Sequence, residues 1–213
     1  MAVTALAPDG DEASRVLTLA QVEFGRLRGL LAALDDDLLD RAPAEGEWSV
    51  RETMVHAISV ERSYRANTQH ALVRRDDEPL RLPAERRPTP DPADTAGGVV
   101  DILAAFATRR AETDAALAGL EAAQLVRPSQ WGPYEVMHQI DVRFRLHRFA
   151  SHIVEHTVQC EKTMESLGVT LNDARAVVRA IGAMRGAHER RSPRATLDAL
   201  DAALIARADA VGV

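Results

Sequence analysis

The sequence predicts an all-α protein: a four-helix bundle followed by a C-terminal extension of two further helices. Apolar residues make up 46% of the 213 residues, enough to fill a sizeable core. Aromatic residues are only 4%, so Ala, Leu and Val carry the apolar content, which suits close-packed helices better than a sheet. Several long segments also repeat apolar residues at three- and four-residue steps, the period of a helix with one buried face. The length fits one domain with a tail, the bundle over 11–167 and the extension over 168–213.

The first helix is expected from about Asp11 to Asp36, with Val16, Leu17, Ala20, Phe24, Leu27, Leu30, Leu31 and Leu34 forming its stripe. Pro43 and Gly46 follow the acidic run that ends it. The second helix has a clear start signal. Ser49 is placed to cap its N-terminus, and Glu52, three residues on, to complete a capping box, with Trp48 as a packing staple ahead of the cap. This helix is expected to reach about Arg75. Five prolines between Asp76 and Pro92 make that stretch a loop or extended crossover. The third helix is expected from about Gly98 to Leu120. Arg127 to Pro133 reads as a second break, and a long fourth helix is expected from about Tyr134 to Leu167, stopped by Gly168. Leu171 to His188 and Ser192–Pro193 to Ala210 complete the extension, with Ser192 as cap and Pro193 as first helical residue.

Histidine is the informative residue type. His152 and His156 lie four apart on the fourth helix, so their rings share a face about 6 Å apart along the axis. That spacing lets two imidazoles reach one ion, since each ligand nitrogen must come within about 2.0–2.1 Å of it. Gln159 stays on the same face as a candidate hydrogen-bond partner. His56, set in the apolar run Met54-Val55-His56-Ala57-Ile58 of the second helix, is the candidate third ligand, because an apolar setting keeps imidazole uncharged. By spacing alone, a histidine pair on a charged helix is more often a solvated face, and a histidine in an apolar run more often a hydrogen-bonded core residue. Both readings stay open on the residues themselves.

Two motifs add a resemblance. Glu47-Trp48-Ser49-Val50-Arg51-Glu52-Thr53-Met54-Val55-His56 is similar to the W-S-x-x-E-x-x-x-H start of the second helix in the DinB-like superfamily. His152-Ile153-Val154-Glu155-His156-Thr157-Val158-Gln159 resembles that family's H-x-x-x-H-x-x-Q on its last bundle helix, and the order and separation of the two motifs also fit. The resemblance covers about residues 11–167. It implies a metal-binding four-helix bundle in which His56, His152 and His156 hold a divalent transition metal, usually zinc or nickel. It also implies a reaction class, since superfamily enzymes include S-transferases and an isomerase that use a low-molecular-weight thiol, mycothiol or bacillithiol.

Three histidines would leave a metal position open, as a catalytic site requires. A thiol entering it would lose its proton and become the nucleophile, whereas water entering it would serve hydrolysis. The leading expectation is a metal-dependent transferase joining a small-molecule thiol to an electrophilic substrate. The alternatives are a metal-dependent hydrolase and a stress-associated metal-binding homodimer without turnover.

The remaining candidates read as structural. His147 is turned about 140° from His152 and is not expected to share its ion. Asp141 and Arg145 are weighed as an approach channel against an ion-paired face. Cys160 reads as a small core residue, Trp48 and Trp131 as packing anchors, and Arg74-Arg75 and Arg86-Arg87 as surface pairs able to receive an anion. A net charge of −6 and a pI near 5.7 argue against nucleic acid and anionic lipid as partners. One cysteine, no basic-then-apolar leader in Met1 to Glu12 and no 18-residue apolar run lead to the expectation of a cytoplasmic protein.

Overall fold

Seven helices and one small hairpin make up the computed structural model, which describes residues 10–132 and 138–210, side chains to 206. In chain order they are α1 (Glu12–Leu31), α2 (Val50–Val73), α3 (Val99–Leu117), the single turn α4 (Ala122–Leu125), β1 (Pro128–Trp131), β2 (His138–Asp141), α5 (Val142–Ser166), α6 (Asp173–His188) and α7 (Arg194–Ala210). Helices α1, α2, α3 and α5 form the four-helix bundle, with α5 packed against both α1 and α2, and α3 against the same two from the other side. Among the described residues, no helix is long and apolar enough to cross a membrane.

Local chemistry sets the helix starts. Asp11 caps α1 by accepting from the Ser14 amide at 2.8 Å. The capping box of α2 forms as the sequence specifies. The Ser49 amide donates to Glu52 Oε2 at 2.8 Å, and the Glu52 amide to Ser49 Oγ at 3.2 Å. Helix α7 starts one residue later than expected, because the carbonyl of Pro193 accepts from the Thr196 and Leu197 amides.

The long fourth helix is shorter than its periodicity suggested. Residues 133–137, including the expected start at Tyr134, lie outside the described residues, and His138–Asp141 is a strand. It pairs antiparallel with β1, Pro128 opposite Asp141 and Trp131 opposite His138. The helix begins only at Val142, where Asp141 accepts from the Phe144 amide at 2.8 Å and acts as its cap. His138 and Asp141 are therefore not on the helix face that carries His152.

Two apolar clusters fill the bundle. One gathers Phe24, Leu27, Leu30, Met54, Ile58, Ile102, Phe106, Ile153 and Met164, and the other Val16, Leu17, Ala20, Ala71, Leu117, Val142, Leu146 and Phe149. A polar layer lies between them along the chain on α1, α2 and α3. Arg110 is fully buried, with Nη1 2.6 Å from Glu61 Oε1 and Nη2 3.2 Å from Asp114 Oδ1, while Gln21 Nε2 donates to Asp114 Oδ2 at 2.7 Å.

Helix α6 runs antiparallel to α1 with the two backbones in contact. Gly182 faces Gly25, and Gly186 faces Gln21; a Cβ on Gly25 or on Gly186 would collide with the facing carbonyl oxygen. Glycine is what permits this approach. Helix α7 in turn packs on α6, Val178 and Leu204 closing a small apolar cluster with Ala32 and Ala33.

Candidate metal centre

Helices α2 and α5 run past each other in opposite directions, so Trp48 meets Thr163, His56 meets His156, and Tyr64 meets Phe149. Met54, Ala57, Ile58 and Glu61 turn the buried face of α2 toward the core. His56 is left on the seam with α5, partly exposed. Ile153 and Cys160 do the same for α5, which sets His152 and His156 at that seam, 7% and 8% exposed. The sequence-selected histidines come together there: one ligand nitrogen from each of His56, His152 and His156 lies within 4.8 Å of the other two.

The ring geometry is that of a ligand set. The His152 and His156 Nε2 atoms are 2.9 Å apart, and the His56 ring centroid is 5.3 Å from that of His152 and 4.9 Å from that of His156. A tetrahedral ion with bonds of about 2.0–2.1 Å wants nitrogens roughly 3.3 Å apart, so small ring rotations suffice. Gln159 Oε1 lies 2.9 Å from His156 Nδ1, which places a proton on Nδ1 and leaves Nε2 as the lone pair of the site. With that tautomer His152 Nε2–H donates to His156 Nε2.

Electrostatics keep the cluster uncharged. Burial, then the other two imidazoles and Arg148, pull His152 down to about 3. Burial also lowers His156, against the opposing pull of Gln159 and Glu155, and lowers His56 together with the charge of His156. Neutral imidazole is the form that ligates. Among the described residues the cluster contains no carboxylate.

Other candidates fall outside it. His147 is exposed and is not part of the cluster, as its angle predicts. Glu52 is committed to its cap. Cys160 is buried with its thiol pushed up to about 12 by burial, so it is a core residue. Arg74 donates to the carbonyls of Arg75 and Glu78, and Arg87 to that of Leu82, so these arginines tie the proline-rich loop.

Trp131 packs as an anchor against Tyr64 and Phe144, while Trp48 is more open than an anchor would be. Trp48 is 40% exposed with its ring 5.1 Å from that of His56, and Trp131 packs at a tilt against Tyr64, 5.2 Å between centroids, whose own ring is 5.5 Å from that of His152. Trp48 lines the histidine seam directly, and Trp131 reaches it only through Tyr64. Tyr64 and Arg148 were missed, although each was within reach of a spacing argument. Tyr64 lies eight residues beyond His56, and Arg148 is four before His152 on the same helix face.

The model of the DinB superfamily matches residues 20–160, which include all three histidines and both motifs. The chain belongs to the DinB superfamily. Among solved structures it is similar to YfiT from Bacillus subtilis, at 16% identity and a TM-score of 0.58 over 77% of this chain and 93% of that one. YfiT is described as a probable metal-dependent hydrolase with an unusual four-helix bundle topology. At that identity the likeness shows the four-helix fold. No curated protein matches the chain significantly.

Proposed function

We propose that this DinB-superfamily protein holds a divalent transition metal, zinc or nickel, on His56, His152 and His156. On this reading it uses the metal to transfer a low-molecular-weight thiol of the mycothiol or bacillithiol type onto an electrophilic small molecule. The observation that carries the reading is the convergence of three uncharged imidazoles from two helices, with one of them, His56, on the open side of the seam.

A bound ion would supply Lewis acidity, lowering the pKa of a group that enters its open position. The protein's own residues do the rest. Burial holds His152 neutral, Gln159 fixes the His156 tautomer, and Trp48 walls the open side beside His56. A thiol needs little further help, since its ordinary pKa near 8.5 is about seven units below that of water. Water activation is better served by a nearby carboxylate to take the proton. The acid on this face, Glu155, is bound by Arg148 in a bidentate pair at 2.8 and 3.1 Å. That difference supports transfer over hydrolysis. The hydrolase reading keeps one supporting observation, the description of YfiT. We assign the reaction to the cytoplasm, where small thiols are kept reduced.

Metal analysis of the purified protein beside its His152→Ala variant is the first test, and about one equivalent of zinc or nickel, lost in the variant, is expected. The loaded protein is then offered mycothiol or bacillithiol with a bromobimane acceptor. Metal-dependent S-conjugate formation supports transfer. Ester cleavage without thiol moves the reading to the hydrolase, and absence of metal after reconstitution overturns the site.

A further inference from the structure

One and two turns before His152, the guanidinium groups of Arg148 and Arg145 both stand over the indole of Trp131, their Cζ atoms 5.2 and 5.6 Å from the ring centroid. Tyr64 bridges this group to the metal seam. Its ring lies between Trp131 and His152, 5.2 Å from the one and 5.5 Å from the other. Arg148 also lines an open groove with Phe144, Ser151, Val154 and Glu23, whose carboxylate is taken up by Arg26.

The charges here do not balance. Arg145 is 3% exposed and donates to Ser129 Oγ at 3.1 Å and the Gln130 carbonyl at 2.6 Å, both neutral acceptors. Among the described residues no carboxylate pairs with it, and burial together with the charge of Arg81 pulls it down to about 10. Buried cations are ordinarily paired, because an uncompensated one is costly to desolvate. Among the described residues, the buried Nε atoms of Arg145 and Arg148 have no acceptor. Glu155 is the described carboxylate that reaches the group, and the two halves of its pair with Arg148 are unequally held. Arg148 is fixed by Ser151 at 3.0 Å and by Trp131, whereas the Glu155 side chain is 53% exposed. The carboxylate is the removable half.

We propose that Tyr64, Trp131, Arg145 and Arg148 form a carboxylate-binding subsite beside the metal histidines, with Glu155 standing in for the carboxylate of the electrophilic acceptor. The inference rests on the thiol-transfer reading for the identity of that acceptor. The thiol has the ion to hold it by its sulfur, while the acceptor needs an anchor of its own. A guanidinium fork over an indole suits a planar carboxylate on a small carbon skeleton. Arriving there, the carboxylate displaces Glu155 into solvent and brings the acceptor alongside His152.

The test is succinate binding to the full chain, read from Trp131 fluorescence in a Trp48→Phe background, with metal content measured on the same samples. Glu155→Gln removes the internal competitor while keeping a hydrogen-bonding side chain, and should tighten succinate binding about tenfold; Arg148→Gln should weaken it at least tenfold. Metal content should be the same in all three proteins. Thioglycolate should bind no tighter than 2-mercaptoethanol. A clear preference for thioglycolate that Arg148→Gln abolishes would assign the carboxylate to the thiol and overturn the acceptor assignment. Metal-loaded protein whose affinity for succinate is absent, or is the same in all variants, overturns the subsite and leaves the metal reading intact. Succinate binding with the expected variant effects in a protein that takes up no metal keeps the subsite and removes the metal reading.

Discussion

A single hydrogen bond decides which nitrogen His156 offers to a metal. Gln159 Oε1 takes the Nδ1 proton at 2.9 Å and sits one helical turn beyond the ring it orients. Removing it in Gln159→Ala should leave the fold unchanged and weaken zinc binding by about 10- to 100-fold, the usual effect of losing an orienting partner. Competition with a chromophoric chelator measures this, and unchanged affinity would reduce Gln159 to filling. Protonation of the same cluster sets an acid limit on the metal-free protein. His152 titrates at 6.5 when unfolded and is pulled down to about 3 when folded, so below pH 6.5 the unfolded chain takes up a proton that the folded chain refuses. Stability should therefore fall as pH falls from about 6.5 toward 3, by at most about 1.4 kcal/mol per pH unit from this group. Urea unfolding in chelator at pH 6.5 and 5 should show a shallower loss in His152→Gln, and equal losses in the two proteins would refute the assignment.

Helical elements were legible wherever local chemistry agreed with periodicity. Ser49 and Glu52 announce α2 and form the box that starts it. The N-terminal part of the fourth helix failed because residues such as His138, Ile140 and Asp141 fit a helical stripe and a short strand equally well. Pairing with Pro128–Trp131, thirteen or fewer positions away, decided between them. The docking of α6 was not legible either, since glycines inside a helix read as weak points until the facing helix is known. Gly25 and Gly182 bring the backbones of α1 and α6 together, and Gly186 lies against the Gln21 carbonyl. Gly186→Ala forces a Cβ into that carbonyl and should cost roughly 1–3 kcal/mol by overpacking, despite alanine's better helix propensity. Thermal unfolding checks the sign. A more stable variant would mean that α6 docks more loosely than its glycines imply.

For the whole molecule, the metal seam and the polar layer answer different requirements. Ligand residue types and spacing made the three histidines legible, because i,i+4 on one helix fixes a shared face and the family motif supplies the third. The arginine–aromatic surroundings were hidden because Trp131 arrives on a hairpin, and no periodicity places a hairpin beside a helix. The polar layer was hidden for a related reason: Arg110 reads as a surface residue in a chain rich in arginine. It is instead fully buried beneath Phe149, linking Glu61 of α2 to Asp114 of α3, which Gln21 of α1 also binds. This arrangement ties three helices at one level, beneath a ring of the fourth, and penalises any slippage that would separate the charges. Arg110→Met should therefore destabilise the bundle by roughly 3–5 kcal/mol, because Glu61 is left buried and unpaired. The paired replacement Glu61→Leu with Arg110→Met removes both charges and should recover most of that loss. Urea unfolding of the two variants beside the wild type separates the cases. If the single and double variants lose the same stability, the loss comes from removing Arg110 itself and not from a carboxylate left unpaired at Glu61. If the double variant regains its stability and still binds one metal, the polar layer fixes helix register without shaping the histidine site.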